Sequence, residues 1–314
     1  MTGPCRLIWL SMISLSASGA DAPACWLHDA ARPTSSVTYA LCEQGAVLAT
    51  TDGGATWTAH PTGATTMLRA ISFVDANRGF VAGDRGLLLA TTDGGKTWQP
   101  RATGTTENLV AIQTIGDSGW LSGYDGVILH SSDGERTWTR QDSGVTQALE
   151  GLYFLDAEHG WAVGWAGTVL RTLDGGKTWH AIKTDAASWS LSSVYFRDPK
   201  NGWIAGFGGQ LLHSTDGGLT WEVRTTPSKG WHTSVLFDQS NHGWITADGG
   251  LLFSEDGGNH WQPIHIDEAV FADRLIAGAG PLMVIGPFGM MQQNGAGLEF
   301  KKVANPFVGE PETR

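Results

Sequence analysis

An Asp-Gly turn followed by Trp recurs six times along the chain at a nearly constant spacing. The octets TTDGGATW, TTDGGKTW, SSDGERTW, TLDGGKTW, STDGGLTW and SEDGGNHW end at Trp57, Trp98, Trp138, Trp179, Trp221 and Trp261. Their aspartates, which are separated by 41, 40, 41, 42 and 40 residues, are Asp52, Asp93, Asp133, Asp174, Asp216 and Asp256. A period of this length indicates an array in which each repeat is one supersecondary unit.

One repeat, residues 68–101, contains four short segments that are typical of β-strands. LRAISFVD, RGFVAGD, GLLLATT and KTWQPR are rich in apolar and β-branched residues and are separated by turn residues. The layout recurs in later units, and a last unit has Asn294-Gly295 in place of Asp-Gly and Phe300 in place of Trp. With a first unit around TYALC and GAVLATT, the chain contains seven units.

Seven such units predict an all-β fold, a seven-bladed β-propeller with four-stranded antiparallel blades. Each blade buries its apolar faces only against its neighbours, so the ring must close. We expect the propeller to occupy residues 35–305, followed by a tail at 306–314. The first unit lacks an obvious innermost strand, and CWLHDA at 25–30, within an N-terminal segment 21–34, is the candidate to supply it.

The octet itself is predicted to be a structural corner between the third and fourth strands. Its Asp can accept hydrogen bonds from backbone N–H groups of the turn, and Gly supplies the required dihedral angles. The Trp is expected to be buried with its N–H bonded to an acceptor. We therefore favour a structural role for the six aspartates over a metal or catalytic array. Blade packing likewise explains the tryptophans of the recurrent Gly-Trp segments, Trp120, Trp161, Trp203 and Trp244.

The first twenty residues have the order of a secretory signal peptide. One Arg precedes the apolar run LIWLSMISL, and small residues follow it. Cleavage is expected after Ala20, with Ala22 as the second candidate, and the protein is then periplasmic or secreted and does not span the membrane. The remaining Cys25 and Cys42 are predicted to form one disulfide, with two free buried thiols as the alternative.

The charge of the chain restricts its partners. The formal net charge is −11, which argues against nucleic-acid binding through phosphate neutralisation and favours a basic partner. Neither mature Cys has a partner at metal-ligand spacing, and the ten His form no catalytic or metal-binding motif. We expect no metal and no cofactor.

The octets, the Gly-Trp segments and the G-x-L-L strands resemble BNR or Asp-box repeats. Over about residues 35–305 the chain resembles the photosystem II stability and assembly factor-like family of seven-bladed propellers. The resemblance implies a non-catalytic, protein-binding scaffold that assists the assembly or stability of a membrane or envelope complex. In photosynthetic members it implies photosystem II as the partner and an arginine-rich binding patch. This chain departs from that pattern, because it is acidic and only Arg85 falls at a rim turn, with Arg69 as a second candidate if its strand lines the channel.

Binding residues are expected where the repeat varies, at the turns between second and third strands. By topology these turns share a face with the inter-blade loops, and exposed aromatics clustered on one face usually mark a binding site. Packing of these side chains on neighbouring loops is the alternative. The candidates are Arg85, Tyr124, Asp125, Trp165, Phe207, Asp248 and Phe288 at the turns, with Trp189, Trp231 and His232 in the loops.

A sialidase-like or other glycoside hydrolase is the competing prediction, because Asp boxes also occur in such enzymes. Glycosidases need two carboxylates at a defined separation. Glu150 lies in an innermost strand, and Asp125 or Asp248 is the candidate second carboxylate. The Phe-Arg-Ile-Pro element of sialidases is absent. Two carboxylates and an Arg in one deep pocket would favour the enzyme, whereas a shallow aromatic rim would favour protein binding.

Overall fold

A computed structural model describes residues 25–42, 45–184, 190–267, 270–295 and 298–304 of the chain. The expected signal peptide at 1–20, the candidate Trp189 and the tail at 306–314 lie outside these residues. The turn of the first unit at residues 43–44 also lies outside them.

Seven four-stranded sheets make up the described part of the chain, each built from consecutive strands. Blade 1 contains β1 (Leu27–Ala31), β2 (Thr38–Cys42), β3 (Ala46–Thr50) and β4 (Thr58–Pro61). Blade 2 contains β5 (Leu68–Phe73), β6 (Gly79–Gly83), β7 (Leu88–Thr91) and β8 (Gln99–Pro100). Blade 3 contains β9 (Leu109–Ile115), β10 (Ser118–Gly123), β11 (Ile128–Ser131) and β12 (Thr139–Gln141). Blade 4 contains β13 (Leu149–Phe154), β14 (Gly160–Gly164), β15 (Val169–Thr172) and β16 (His180–Ala181).

The remaining blades have the same order. Blade 5 contains β17 (Leu191–Phe196), β18 (Gly202–Gly206), β19 (Gln210–Ser214) and β20 (Glu222–Arg224). Blade 6 contains β21 (His232–Phe237), β22 (Gly243–Ala247), β23 (Gly250–Ser254) and β24 (Gln262–Ile264). Blade 7 contains β25 (Arg274–Ile276), β26 (Met283–Gly286), β27 (Gly289–Gln293) and β28 (Phe300–Lys302). Short 3-10 turns join the second and third strands at Asp84–Gly86, Trp165–Gly167 and Phe207–Gly209.

The blades are arranged as a closed ring, which confirms the predicted seven-bladed propeller. The first strand of each blade contacts the first strands of both neighbours, and β1 contacts β25 where the two ends of the ring meet. Seven clusters of buried apolar side chains each join two adjacent blades. The core therefore lies between blades, as expected for repeats that bury their faces only against neighbours.

Stacked aromatic rings recur at the blade interfaces. The ring centroids of Trp161 and Phe196, from adjacent blades, are 3.5 Å apart, and Trp221 meets Phe196 edge-on at 5.7 Å. The same arrangement joins Trp120 to Phe154 and Trp203 to Phe237. Trp244 instead joins the apolar cluster shared by blades 6 and 7. As predicted, all four Gly-Trp tryptophans are buried: Trp120, Trp161, Trp203 and Trp244.

The octets form self-contained turns between the third and fourth strands. In blade 2, Asp93 accepts hydrogen bonds from the backbone N–H of Thr97 at 2.9 Å and from the hydroxyls of Thr97 and Thr91 at 2.6 and 2.8 Å. The side-chain and backbone bonds from Thr97 lower the pKa of Asp93 to about 2. All six aspartates are held in the same way by their own turns, which leaves a structural role for each: Asp52, Asp93, Asp133, Asp174, Asp216 and Asp256.

The prediction that each box tryptophan finds an acceptor for its N–H is wrong for four of the six. Trp179 donates to Gln141 Oε1 at 3.3 Å and Trp261 donates to Gly258 O at 3.0 Å. Trp98 and Trp221 pack edge-on against Phe73 and Phe196 instead of reaching an acceptor. Among the described residues, the box tryptophans whose buried indole N–H has no hydrogen-bond partner are Trp57, Trp98, Trp138 and Trp221; the N–H groups of Trp203 and Trp244 in the Gly-Trp segments also lack one.

In the described residues, the ring closes without exchange of a strand between its two ends. β1 fills the innermost position of blade 1, the place that the sequence analysis gives to residues 25–30, and a disulfide joins Cys25 to Cys42 in the paired β2. Blade 7 takes all four strands from the C-terminal part of the chain. Arg32 Nη1 donates to Pro281 O at 2.6 Å across this junction, which we call the seam.

Candidate binding site

The two faces of the propeller differ in what they display. One face, the tip face, carries the turns between second and third strands together with the inter-blade loops, as the bond from Gly86 N to Glu107 O shows. The opposite face, the box face, carries the octets and the turns between first and second strands, as the bond from Gly94 N to Asn77 O shows. Both placements agree with the topology expected from the sequence.

A β-bulge near the start of the first strand places one residue of each blade at the channel mouth on the tip face. In blades 1 to 6 the pairing of the first and second strands skips this residue, and bulges re-aim side chains. Asp273 takes the corresponding place just before β25. The seven residues, which we call the mouth ring, are His28, Arg69, Val110, Glu150, Ser192, Thr233 and Asp273.

The mouth ring lines a cavity of about 210 Å³ together with Tyr124 and Arg274. A narrower space of about 170 Å³ lies next to it in the channel and shares Glu150 and Arg274 with the mouth. Tyr195 lines this channel space, and its hydroxyl donates to Phe237 O of the next blade at 2.7 Å. The site is therefore a short funnel at the centre of the tip face.

Both arginines of the mouth are paired with aspartates. Arg69 Nε donates to the carboxylate of Asp84. Arg274 Nη1 lies 3.4 Å from Asp29 Oδ1. Burial raises the pKa of the Asp29 carboxyl, and Arg274 acts in the opposite direction. These arginines are therefore held by neighbours within the fold.

The two carboxylates of the mouth ring have no cationic partner among the described residues. Glu150 Oε1 accepts from Trp165 Nε1 at 2.6 Å, and Glu150 Oε2 accepts from Ser190 Oγ at 2.8 Å. The carboxylate of Asp273 has no hydrogen bond or ion pair with any residue of the described ranges. Blades 4 and 7 face each other across the ring, so negative charge flanks the mouth on two sides.

Exposed aromatic side chains surround this mouth. In the described part of the chain, the large aromatics that are half exposed are Trp26 at 52%, Trp165 at 48%, Trp231 at 58% and Phe271 at 50%. All four lie on the tip face, at strand starts, turns or inter-blade loops. The box face and outer strands expose only the aliphatic Leu173, Leu219 and Val223 among large apolar residues of the described ranges.

Several of the predicted rim residues are paired in space. Tyr124 lies 6.0 Å from Trp165 between ring centroids, and Phe207 lies 5.6 Å from Trp231. Phe288 lies 6.2 Å from Trp26. Trp26 and Phe271 are not among the rim residues predicted from the sequence, although each stands two residues before a mouth-ring residue, as Trp231 does.

The predicted charged residues of the rim lie at the turns, not in the mouth. Arg85, Asp125 and Asp248 adopt positive φ angles of 59°, 54° and 52°. Asp248 accepts hydrogen bonds from Ser228 Oγ at 2.5 Å and from Trp231 N at 3.0 Å, so it braces its own loop. The prediction that Asp125 or Asp248 is the second carboxylate beside Glu150 is therefore wrong, because Asp273 takes that place.

His232 is not a rim residue, which corrects the sequence prediction. It is fully buried as the first residue of β21. Its ring nitrogens contact Thr226 Oγ1 at 3.2 Å and Gln210 O at 3.2 Å. Leu fills the same position in the preceding blades, as Leu191 does in β17. His232 therefore packs in a core position that the repeat reserves for a buried side chain.

A short sequence pattern marks the mouth ring. The mouth residue follows a buried Leu and precedes a small residue in four blades: Leu68-Arg69-Ala70, Leu109-Val110-Ala111, Leu149-Glu150-Gly151 and Leu191-Ser192-Ser193. Alignment of the repeats at this Leu could have singled out the variable residue after it.

Among the described residues, no group of three or more His, Cys, Asp or Glu is placed to hold a metal ion. The described ranges also contain no helix with the length and apolar character needed to cross a membrane.

Comparison with protein families identifies the chain. The family described as "Photosynthesis system II assembly factor YCF48" matches residues 61–148 and 136–230. These matches together span residues 61–230, more than half of the 314 residues. The chain belongs to this family. Among curated proteins, none matches the sequence of this YCF48 family member.

Solved structures share the fold at low sequence identity. "YCF48 bound to D1 peptide" superposes with a TM-score of 0.72 and 19% identity over 88% of this chain and 98% of that chain. "YCF48 from Cyanidioschyzon merolae" gives a TM-score of 0.68 and 19% identity over 84% of this chain and 94% of that chain. An ancestral GH74 enzyme gives a TM-score of 0.70 and 13% identity over 90% of this chain and 46% of that chain.

Proposed function

We propose that this YCF48 family member is an exported, non-catalytic scaffold that binds a protein partner through its tip face. Its role is accessory, in the assembly or stability of a membrane or envelope protein complex. The family supports this proposal. One structurally similar protein, "YCF48 bound to D1 peptide", carries a peptide on the same fold.

The observation that carries the proposal is the restriction of half-exposed aromatics to one face of the described propeller. Aromatic side chains are enriched at the centres of protein interfaces, where they fill pockets of the partner. Three aromatic pairs around the central mouth offer separate anchoring points to an extended segment of the partner. The aliphatic residues exposed elsewhere are scattered, as on ordinary protein surfaces.

An affinity pull-down from envelope extract tests this surface. We expect the wild type to recover a specific partner and the Trp165→Ala/Phe207→Ala variant to lose it. The matched control is Leu173→Ala/Leu219→Ala, which removes residues exposed to 48% and 54% outside the tip face. Thermal denaturation verifies that both variants fold. Equal recovery by the wild type and the tip variant would refute the tip face as the binding surface.

Export is tested separately on the mature protein. The signal peptide proposal predicts that the protein isolated from the periplasm or medium begins at Asp21, or at Pro23 for the second candidate site. N-terminal sequencing measures this directly. A protein that retains residues 1–20 and stays in the cytoplasmic fraction would contradict export without affecting the binding surface.

A glycoside hydrolase is the second candidate, because Glu150 and Asp273 line one cavity with Arg69 and Arg274. The cavity of about 210 Å³ is smaller than typical ligand pockets of roughly 300–1,000 Å³. Incubation with xyloglucan oligosaccharides and sialyllactose tests the enzyme. Product release by the wild type that disappears in Glu150→Gln would establish the hydrolase and replace the scaffold proposal.

A further inference from the structure

We propose that the channel mouth binds a cationic side chain, Arg or Lys, that projects from the partner protein. The proposal rests on the scaffold function and specifies which chemistry of the partner the mouth selects. Three features of the mouth support it: its unneutralised carboxylates, its oriented aromatic pair and its size.

The charge balance of the mouth favours a cation. Arg69 and Arg274 already contact Asp84 and Asp29. Within the described ranges, Glu150 receives only the neutral donors Trp165 Nε1 and Ser190 Oγ. A carboxylate offers about four acceptor sites, so Glu150 retains acceptor capacity for a charge-assisted bond. Asp273 contributes a second carboxylate from the opposite side of the ring.

The aromatic pair beside Glu150 suits the same ligand. The Trp165 indole is oriented by its 2.6 Å hydrogen bond to Glu150, and its ring lies 6.0 Å from that of Tyr124. A guanidinium or ammonium group within about 6 Å of such ring faces is attracted by their quadrupoles. One cation can therefore contact an aromatic face and the Glu150 carboxylate together. Because the indole is already fixed, little side-chain freedom is lost on binding.

The size of the mouth favours one extended side chain. Its volume of about 210 Å³ is below that of typical small-molecule pockets. The net charge of −11 also steers a basic segment towards the protein. The alternative is that the mouth binds an anionic group through Arg69 and Arg274, and the experiment below distinguishes an anionic from a cationic ligand.

Peptide titrations followed by NMR test the proposal. The probes are acetyl-Gly-Leu-X-Leu-Gly-amide peptides in which X is arginine, its neutral isostere citrulline, or glutamate. The readout is the indole ¹⁵N–¹H signal of Trp165, assigned with Trp165→Phe. We expect the arginine peptide to shift this signal and to bind about tenfold more tightly than the citrulline peptide, the ratio that one cation–π contact with a charged hydrogen bond supplies.

Two substitutions assign the effect to the mouth. Glu150→Gln keeps an oxygen for the Trp165 N–H and removes the charge, so the preference for arginine over citrulline should fall to about twofold or less. Asp125→Asn removes a tip-face carboxylate outside the mouth, and Asn tolerates its positive φ, so the preference should persist. Equal binding of arginine and citrulline, tighter binding of glutamate, or no binding by any peptide would overturn the inference. A pull-down that still depends on Trp165 and Phe207 would then leave the scaffold function standing.

Discussion

At the scale of single residues, Glu135 is the clearest departure from the repeat. It occupies the second Gly position of its box with a φ of 58°, in the left-handed region that favours glycine. Its side chain is fully buried, its carboxylate has no hydrogen-bond partner among the described residues, and Arg78 Nη1 lies 3.6 Å from Oε2. Burial raises the pKa of Glu135, against the opposing effect of Arg78.

Replacement of Glu135 by Gln should stabilise the protein at neutral pH. A raised pKa in the folded state means that the group favours folding below its ordinary pKa of about 4.3 and loses that contribution as pH rises. The neutral amide escapes this loss, so we expect the Tm at pH 7 to rise by about 2–4 °C. The difference should shrink near pH 4. Thermal denaturation at both pH values measures it.

The control for this prediction is Glu158→Gln, which changes an exposed carboxylate on the box face. Its Tm should stay within about 1 °C of the wild type at pH 7, since exposed substitutions have small effects. If the Tm of Glu135→Gln exceeds that of the wild type by the same amount at pH 7 and at pH 4, the titration of Glu135 is not the cause of the stabilisation.

At the scale of elements, the octet joins two tasks within one blade. The Asp closes the turn by hydrogen bonds, as Asp93 does with Thr97 and Thr91, and the Trp packs edge-on against a Phe of its own blade, as Trp98 does with Phe73. That Phe in turn stacks on the preceding blade, as Phe73 does on Tyr39 at 3.7 Å. The octet therefore fixes the outer strand and supports the interface, which explains its recurrence.

Replacement of Asp93 by Asn should destabilise blade 2 in a pH-dependent way. The folded-state pKa of about 2 lies below the ordinary value, so the carboxylate stabilises the fold above about pH 4 and loses this effect as pH falls towards 2. We expect the Tm at pH 7 to fall by about 2–4 °C and the difference from the wild type to narrow at pH 3. The control is Glu255→Gln, which changes an exposed carboxylate next to the aspartate of the blade 6 box. It should alter the Tm at neither pH.

The repeat period predicted the elements well because one pattern, read seven times, leaves little ambiguity. Blade number, strand order and the turn role of Asp93 all depend on local residues and their spacing. The mouth ring depends on a bulge, which displaces one residue such as Glu150 from the alternation that marks a strand. Asp273 of blade 7 reaches the cavity of Glu150 in blade 4 only because the ring closes, since blades 5 and 6 lie between them in sequence. The spacing of the repeats does not show that residues of such distant blades lie close together.

At the scale of the whole molecule, stability depends on how blade 7 meets blade 1. A shared apolar cluster includes Leu27 of β1 and Ile285 of β26. Leu27 N donates to Pro287 O at 3.4 Å, and Arg32 Nη1 donates to Pro281 O at 2.6 Å. No strand of the described ranges crosses the seam. Apolar packing, a few hydrogen bonds across the seam and the anchoring of β1 therefore hold the ring closed.

Removal of the disulfide should loosen this anchoring. Cys25 and Cys42 are 17 residues apart, and closing a loop of about this length contributes roughly 3 kcal/mol. We expect Cys25→Ser/Cys42→Ser to lower the free energy of unfolding by about that amount in urea titrations. A reducing agent should destabilise the wild type similarly and leave the variant unchanged. A reductant effect of equal size on both proteins would refute the assignment.

The charged pair at the seam gives the sharpest test of ring closure. Five blades have Ala, Gly or Ser at the position after the mouth residue, and blades 1 and 7 have Asp29 and Arg274. In blade 6 this position is Ser234, whose Oγ accepts a hydrogen bond from Leu275 N of the next blade at 3.2 Å. Asp29 Oδ2 accepts the equivalent bond from Ile71 N at 3.1 Å. A serine can thus take over the backbone contact of Asp29, but not its pairing with Arg274.

A double-mutant cycle measures what the pair contributes. Arg274→Ser alone leaves the buried Asp29 carboxylate without its cation, and we expect a loss of about 1–3 kcal/mol in the free energy of unfolding. Asp29→Ser/Arg274→Ser restores the small residues of the other blades and should lie within about 1 kcal/mol of the wild type. The two single effects will then fail to add. Additive losses in urea unfolding would mean that the pair contributes nothing to ring closure and only lines the channel.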